Sequence, residues 1–470
     1  MSQIINEKLD NFKNYIKSKR VAVLGIGISN TPLIKYLCAL GVDVTAFDMA
    51  EQDKLASFIK ELEGLDVKYV LGNDYLSGLK GFDVIFKTPK VRYDIPQLVS
   101  ERERGAWVTS EMEVFVDLCP AKIIGITGSD GKTTTTTLIY NMIKEEGYNC
   151  YLGGNIGIPL LSKIDEIKAD DIVVLELSSF QLHTMRKSPH ISVITNISPN
   201  HLDVHKSMEE YVEAKRNIIR YQSESDIAVL NADNIYTKQF ASDLHAKVLW
   251  FSRLHCVETG AYVQEGEIIY SDGKDHDKVM DVSDIILPGN HNIENYLAAI
   301  CAVKGFVKNQ TIKKVASTFK GVEHRIEFVR ELNGVKYYND SIGTSPTRTI
   351  ASINAFNQKV VLIAGGYDKH IPYDEMGAVL VDKTKALILL GATAGKIKQA
   401  FEQETNKAGK GLDIPVFLCS SMEEAVQKAA EVSEQGDIVL MSPASASFDM
   451  YKNFEERGKH FKDIVLSLKC

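Results

Sequence analysis

The chain alternates between short apolar runs closed by a glycine or a polar cluster and stretches with helical spacing. Val21-Ala-Val-Leu24 stops at Gly25, Leu33, Leu37 and Leu40 recur at helical intervals, and Val42 to Phe47 resumes as a second run ending at Asp48. A bounded apolar run of four to eight residues fits a strand buried on both faces, and recurrence every three or four residues fits an amphipathic helix. Further strands are predicted at 82–86, 122–127, 171–176 and 192–196, then at 360–364, 386–390, 416–419 and 437–441. Strands separated by helices predict parallel α/β sheets, three of them here. The polar stretch from Gln264 to Asp284 predicts hairpins or an inserted flap.

Length agrees with this division: 470 residues at roughly 100–200 per domain give about three domains. With 44% apolar and 25% charged residues, the chain has the composition of a folded protein rather than a disordered one. Lys and Arg number 54 against 62 Asp and Glu, so 54 − 62 = −8. That balance excludes a surface built to coat a nucleic-acid backbone and leaves room for a local anion pocket. Residues 1–19 lack the continuous apolar core of a signal peptide, and no run approaches the length of a membrane span. Seven scattered cysteines without a CxxC pair predict a reducing cytoplasm and no disulfide framework or zinc knuckle.

The first strand–turn–helix–strand unit carries Gly25-Ile-Gly27-Ile28-Ser29-Asn30 and ends on Asp48. This is a Rossmann-like βαβ pattern whose third fingerprint position is Asn30 instead of glycine. The segment Lys87-Thr88-Pro-Lys90-Val-Arg92 places three cations after a strand, either facing an anionic ligand or forming a solvated loop. Gly125-Ile-Thr-Gly128-Ser129-Asp130-Gly131-Lys132-Thr133-Thr134 is a phosphate-binding loop one residue longer than the common form, between a strand and a helix. Its backbone N–H groups and the helix N-terminus form an anion nest, Lys132 would reach the β/γ-phosphates, and the Thr133 hydroxyl would hold Mg²⁺. Glu176, at the end of a neighbouring apolar strand, suits the second metal-side position. Ser178 and Phe180 follow it in a turn. His201 reads as a loop histidine and Lys215 as a surface lysine on a helix. Arg325 could neutralise phosphate charge from another domain, and Gly365-Gly-Tyr-Asp-Lys369 and Ser442 to Phe454 lie at strand ends.

Taken in order, TGSDGKTT (127–134), GGNIGIP (153–159), LELSSFQL (175–182), NISPNHLD (196–203), EAK (213–215), GNHNIEN (289–295), EHRIE (323–327), NDS (339–341), GGYDK (365–369) and SPASASFDMYKNFEERG (442–458) resemble the Mur ligase family over nearly the whole chain. The resemblance implies a UDP-binding Rossmann-like domain at 1–111, a central P-loop ATPase domain at 112–321 and a Rossmann-like C-terminal domain at 322–470. The pair GGNIG and LELSSFQL marks the member that joins D-glutamate to UDP-N-acetylmuramoyl-L-alanine, using ATP and passing through an acyl phosphate. It implies one Mg²⁺ on Thr133 and Glu176, and a second on His201 and a carbamylated Lys215. Gly27, Ile28, Ser29, Asp48, Thr88, Asn155, Ser178 and Phe180 would meet the UDP-substrate. Asn295, Arg325 and Asp340 would address ATP beside residues 128–134, and Thr344, Lys369, Ser447, Phe448 and Phe454 would receive D-glutamate. The resemblance further implies a catalytic set of Lys132, His201, Lys215 and Asp340, and a cytoplasmic monomer that binds no nucleic acid and inserts in no membrane. Ile342 stands where many members carry a lysine, Lys90 departs from their usual Pro-Gly-Ile loop, and His183 stands where an acidic residue is common. Two other readings are a related ligase, such as a folylpolyglutamate synthetase or another Mur ligase, and a nucleotide-binding regulator that does not ligate. The complete N-terminal βαβ unit with the GGNIG and LELSSFQL pair disfavours the first, and intact Thr133, Glu176, His201 and Lys215 disfavour the second.

Overall fold

The structure, a computed structural model, describes residues 6–198, 206–369, 371–408 and 414–469. The chain divides into two compact units, Met1–Val282 with Glu294–Val315, and Ser283–Ile293 with Ala316–Cys470. The first unit carries two sheets and the second carries one.

The first sheet contains β1 (Arg20–Leu24), β2 (Asp43–Asp48), β3 (Val67–Leu71), β4 (Val84–Lys87) and β5 (Trp107–Thr109), ordered β3-β2-β1-β4-β5 and parallel throughout. Alternate side chains of one strand serve opposite faces. Val21 and Val23 pack with Phe12 and Ile16 of helix Glu7–Lys17 and Leu33 and Leu37 of helix Asn30–Ala39, whereas Ala22 and Leu24 pack with Phe47, Ile85 and Leu98 of helix Pro96–Glu103. Helices on both faces explain why these strands read as unbroken apolar runs rather than alternating ones.

The second sheet has the order β14-β13-β12-β11-β10-β9-β6-β8-β7. Its strands are β6 (Lys122–Thr127), β7 (Cys150–Gly154), β8 (Ile172–Glu176), β9 (Ile191–Ile194), β10 (Ile227–Asn231), β11 (Lys247–Ser252), β12 (Thr259–Gln264), β13 (Glu267–Asp272) and β14 (His276–Asp281). The predicted hairpin segment is the antiparallel β12-β13-β14 end of this sheet rather than a separate flap. β6 lies between β8 and β9, so both carboxyl ends flanking its loop belong to neighbouring parallel strands, the usual ligand position in such sheets.

The third sheet has the order β15-β16-β20-β17-β18-β19, from β15 (Glu327–Leu332), β16 (Val335–Asn339), β17 (Val360–Ala364), β18 (Thr384–Leu390), β19 (Val416–Cys419) and β20 (Ile438–Met441). Only the β15-β16 pair is antiparallel.

One buried carboxyl ties the first sheet's last connection to the second sheet's domain. Glu111, at the start of helix Glu111–Leu118, accepts the Leu161 N–H at 2.8 Å, and burial pushes its carboxyl up to about 7. A carboxyl raised above its unfolded value favours the folded state while protonated. That contribution is complete below about pH 4.5 and is lost as pH rises through about 7. Glu111→Gln keeps an acceptor and removes the charge. Relative to this variant, the wild-type chain should lose roughly 3 kcal/mol of stability across that window. Denaturant unfolding of both chains at several pH values measures it, and parallel curves would contradict the assignment.

Candidate active site

The phosphate loop is held from below by β9 and by one helix. Gly131 has φ +77° at the N-terminus of helix Lys132–Glu146, a conformation that favours glycine, and a Cβ there would collide with Asn295 Oδ1. Asn295 Oδ1 also accepts from Thr135 Oγ1 at 3.2 Å, which seats Asn295 against the loop. The loop N–H groups of Ser129 and Asp130 donate to Asn196 O and Oδ1, each at 2.9 Å, and Thr195 Oγ1 donates to Asp130 O at 2.6 Å. The remaining donors are those of the first helical turn, which no intrahelical acceptor reaches. Lys132 Nζ donates to Gly128 O at 2.9 Å and Ser129 O at 2.8 Å, so its ammonium lies over the loop.

Helix Met208–Arg220 places Tyr211 and Lys215 one turn apart beneath that loop. The Tyr211 hydroxyl meets Ser129 Oγ at 2.9 Å, and Lys215 Nζ lies 4.8 Å from the Tyr211 ring centre. The sequence reading treats Lys215 as a surface lysine by default; the structure buries it to 2% exposure. Its Nζ donates to Gly128 O at 2.7 Å and Thr127 Oγ1 at 3.3 Å. Burial, with the Lys132 charge second, holds this amine well below the ordinary lysine range. His201, the other residue assigned to the second metal, lies outside the described residues.

Glu176 ends β8 at 1% exposure. Oε1 accepts from Asn155 Nδ2 at 2.8 Å, while Oε2 is buried without a hydrogen-bond partner among the described residues. An orphaned carboxylate oxygen beside a phosphate loop has the charge and hardness that Mg²⁺ requires, so the residues present fit one such ion. Ser178 caps helix Ser179–Leu182 through a reciprocal box with Gln181, which fixes where Phe180 projects.

In the first sheet, Asp48 organises the glycine turn. Oδ2 accepts the Ile26 N–H at 2.7 Å and Oδ1 the Ala50 N–H at 2.8 Å. Asn30 Nδ2 donates to Leu24 O at 3.0 Å and Gly25 O at 2.9 Å, which gives the non-glycine fingerprint position a structural task. Thr88 donates its N–H to Leu24 O at 3.0 Å and packs on Gly25, while Ile28 at the turn's tip is 77% exposed. Gly27, Ser29, Asp48 and Thr88 therefore surround one strand-end crest.

The second unit gathers its candidates at the carboxyl ends of β16, β17 and β20. Asp340 is buried, accepts the Ser352 and Ser442 hydroxyls at 2.6 Å each and the Ile326 N–H at 3.3 Å, and is raised to about 6 by burial against these donors. Its carboxylate fastens three segments, the one after Arg325 included. Thr344 and the half-buried Ile342 follow in the turn, where the Ile342 N–H donates to His324 O at 3.1 Å. Gly366 has φ +147° and a Cβ on it would strike Ala446 O, so only glycine lets the 365–369 loop lie against residues 444–448. The Tyr367 N–H donates to Ala446 O at 2.8 Å, and the Tyr367 and Phe448 rings meet edge-on at 5.9 Å. Ser447 is buried and Lys369 exposed.

Sequence reading missed Arg457, which is 1% exposed. Its guanidinium donates to Ser341 Oγ at 3.0 Å, Ser341 O at 2.9 Å and the Ser445 and Ala446 carbonyls at 3.1 Å each. It stands one turn after Phe454 on helix Phe454–Ser467 and binds this helix to the loops bearing Ser447 and Thr344. An arginine three residues past the aromatic of the SPASASF…NFEERG run is the signal that could have found it.

A P-loop domain with a second α/β unit bearing its own strand-end site is the architecture of an ATP-dependent ligase. Residues 126–303 match the Mur ligase middle domain and residues 324–445 the Mur ligase, glutamate ligase domain. The chain belongs to the Mur ligase family. It is 60% identical over 466 residues to the UDP-N-acetylmuramoylalanine--D-glutamate ligase of Acetivibrio thermocellus, covering 99% of this chain and 100% of that one. It is 55% identical over 465 residues to the enzyme of that name from Ruminiclostridium cellulolyticum, with 99% and 100% covered. The fold is shared with the UDP-N-acetylmuramate-alanine ligase MurC of Thermotoga maritima, at TM-score 0.57 and 19% identity over 96% of this chain and 100% of that one. Among the described residues no helix is long and apolar enough to cross a membrane.

Proposed function

We propose that this chain is the ligase that joins D-glutamate to UDP-N-acetylmuramoyl-L-alanine at the expense of ATP, in the cytoplasm. Full-length identity of 60% to a relative of that name carries the reading. The Lys132 loop, the orphaned Glu176 oxygen and the strand-end cluster of the second unit supply the chemistry it needs. The glycine turn at residues 25–30 with Asp48 and Thr88 would receive the UDP end. Asn155, Ser178 and Phe180 would receive the muramoyl-alanine end.

The alanyl carboxylate attacks the γ-phosphorus, ADP leaves, and an acyl phosphate results. The amine of D-glutamate then attacks the acyl carbon and phosphate leaves. Nucleophile and triphosphate are both anionic, so the reaction depends on fixed positive charge placed where negative charge gathers. Lys132 and the first-turn N–H groups of helix Lys132–Glu146 provide it from the loop, and Arg325 would be the ATP-directed cation contributed by the second unit. Thr133 and Glu176 would hold Mg²⁺, with Lys215 as a carbamate and His201 holding a second ion; metal so bound screens phosphate charge. The depressed amine of Lys215 favours the neutral form that adds CO₂. Orientation of the two reactants can supply roughly 7–11 kcal/mol of the barrier; Asn155 would serve the UDP-substrate, Asn295 ATP, and the Arg457-braced loops D-glutamate. Thr344, Lys369, Ser447, Phe448 and Phe454 would bind D-glutamate.

Incubating the chain with ATP, Mg²⁺, UDP-N-acetylmuramoyl-L-alanine and a panel of amino acids tests the reading: phosphate release should require D-glutamate. Release with another amino acid instead would make the chain a different ligase, and release with none would make it a regulator. Lys369→Ala should raise the KM for D-glutamate about tenfold or more with little change for ATP, as loss of one charge-assisted contact implies. Equal effects on both would move Lys369 out of the D-glutamate site.

A further inference from the structure

The proposed reaction leaves one buried lysine unexplained. Of the three cations between residues 87 and 92, Arg92 is bound by Asp94 at 2.9 Å and Glu210 at 2.8 Å, and Lys90 is exposed. Lys87 is 4% exposed at the end of β4, yet among the described residues its ammonium has no hydrogen-bond or ion-pair partner. The carboxylate that acts on it electrostatically, Glu113, instead accepts the Ser110 hydroxyl at 3.1 Å and the Thr109 hydroxyl at 3.4 Å. The side chain is buried, yet its nitrogen is not among the fully enclosed unpartnered atoms, so the amine end opens onto a space; burial pulls it below the ordinary lysine range, a cost that an anion alongside would offset. Its position is accounted for if it faces a space that an anion fills.

That space exists. Lys87 lines a cleft of about 930 Å³ along the open edge of β5. The cleft is bordered by Lys8, Lys87, Arg102, Arg186 and Lys187 against two carboxylates, Glu113 and Asp117. This reverses the sign of the whole chain's charge. Asp117 is shared by Lys8 at 3.8 Å and Lys187 at 3.4 Å, so its single charge balances at most one of these two cations and leaves none for Lys87. Trp107, 40% exposed, also lines the cleft, and its ring is braced edge-on by Phe12 at 6.4 Å and Tyr15 at 6.1 Å. A rigid, half-exposed indole held by two other rings is a ready surface for a flat ligand. Register places Trp107 opposite Val84, three residues before Lys87, so their Cα atoms differ by about 10 Å along the strands. That separation, shortened by the two side chains, matches a ring joined directly or by a short spacer to an anion. None of Gly27, Ile28, Ser29 and Asp48 lines this cleft, and its volume falls in the range of ordinary ligand sites.

We propose that this cleft is a second ligand site, distinct from the UDP-substrate crest, taking a small molecule with one flat ring and one compact anion, phosphate or carboxylate. Lys87 anchors the anion and Trp107 carries the ring. Phe180, assigned above to the muramoyl end, lies with Lys87, Tyr93 and His183 around a small adjoining space, so a ligand here would be felt at the substrate through a shared wall.

The test is binding to the full chain, read by calorimetry and by Trp107 emission, with phenyl phosphate, benzoate, inorganic phosphate and benzyl alcohol as probes. Phenyl phosphate or benzoate should bind saturably, and whichever is tighter identifies the anion. Inorganic phosphate and benzyl alcohol, each holding half the recognition, should bind about tenfold more weakly or worse. Lys87→Met should weaken the better probe at least about tenfold and Lys87→Arg should restore it, as expected for one charge-assisted contact. Trp107→Phe serves as the second variant and should weaken ring-bearing probes but not inorganic phosphate. Thermal melts identify any variant that has lost its fold. Saturating UDP-N-acetylmuramoyl-L-alanine should leave the probe bound. No saturable binding, equal binding by a folded Lys87→Met chain, or displacement by UDP-N-acetylmuramoyl-L-alanine would overturn the proposal. Binding is read without turnover, so failure of the ligase reading would leave this result standing, and the reverse.

Discussion

Lys132→Ala should abolish ligation, lowering turnover by roughly a thousandfold or more. The loop loses the two hydrogen bonds that Lys132 Nζ gives to the Gly128 and Ser129 carbonyls, but keeps most of its contacts, which other residues make. Its shape comes from Gly131, Asn196, Thr195 and Asn295, whose contacts the substitution leaves in place. What disappears, besides those two bonds, is the cation held over the loop, whose main effect is felt when phosphoryl charge develops beside it. The fold should therefore melt near the wild-type temperature while phosphate release stops. Activity within about tenfold of wild type would remove Lys132 from the phosphoryl-transfer site.

Lys215→Ala should be similarly inactive and, unlike Lys132→Ala, should recover in part when short carboxylic acids are added. The lysine is enclosed by Thr127, Gly128 and Tyr211, so truncation leaves a cavity lined on one side by polar groups. A small carboxylate entering that cavity supplies the anionic oxygens that a carbamate would have presented. Labelled bicarbonate offers a second readout, because the intact chain should show a carbamate carbon resonance that Lys215→Ala lacks. Absence of both the resonance and the recovery would leave Lys215 as an unmodified amine hydrogen-bonded to the loop.

Much of this site is legible in the sequence, for identifiable reasons. The phosphate loop announces itself because a nest of N–H groups needs glycines at fixed spacing, and Gly128 and Gly131 stand where a Cβ would collide. The core strands of all three sheets are legible because burial on both faces leaves no room for polar residues. Edge strands are not: Val67–Leu71 carries exposed Lys68 and Tyr69, and three-residue Trp107–Thr109 is too short to show a period. Lys215 and Lys87 were illegible for the opposite reason. Lysine is nearly always solvated, and its burial at either position follows from tertiary placement that no local pattern encodes. Asn30 and Arg457 illustrate a third case. Their side chains satisfy backbone carbonyls brought together by folding, so their tasks appear only when the loops they join are seen together. The three sheets were legible, and the first two of them share one compact unit, joined by contacts such as Glu111 with Leu161 and Arg92 with Glu210.

The central claim is that ATP activates the alanyl carboxylate for attack by D-glutamate, and isotope transfer tests it most directly. UDP-N-acetylmuramoyl-L-alanine carrying heavy oxygen in its terminal carboxylate should pass one labelled oxygen to inorganic phosphate in each turnover, with the other retained in the new amide, and only when D-glutamate is consumed. Phosphate released free of label would mean that the carboxylate never bonded to phosphorus, and would contradict the account.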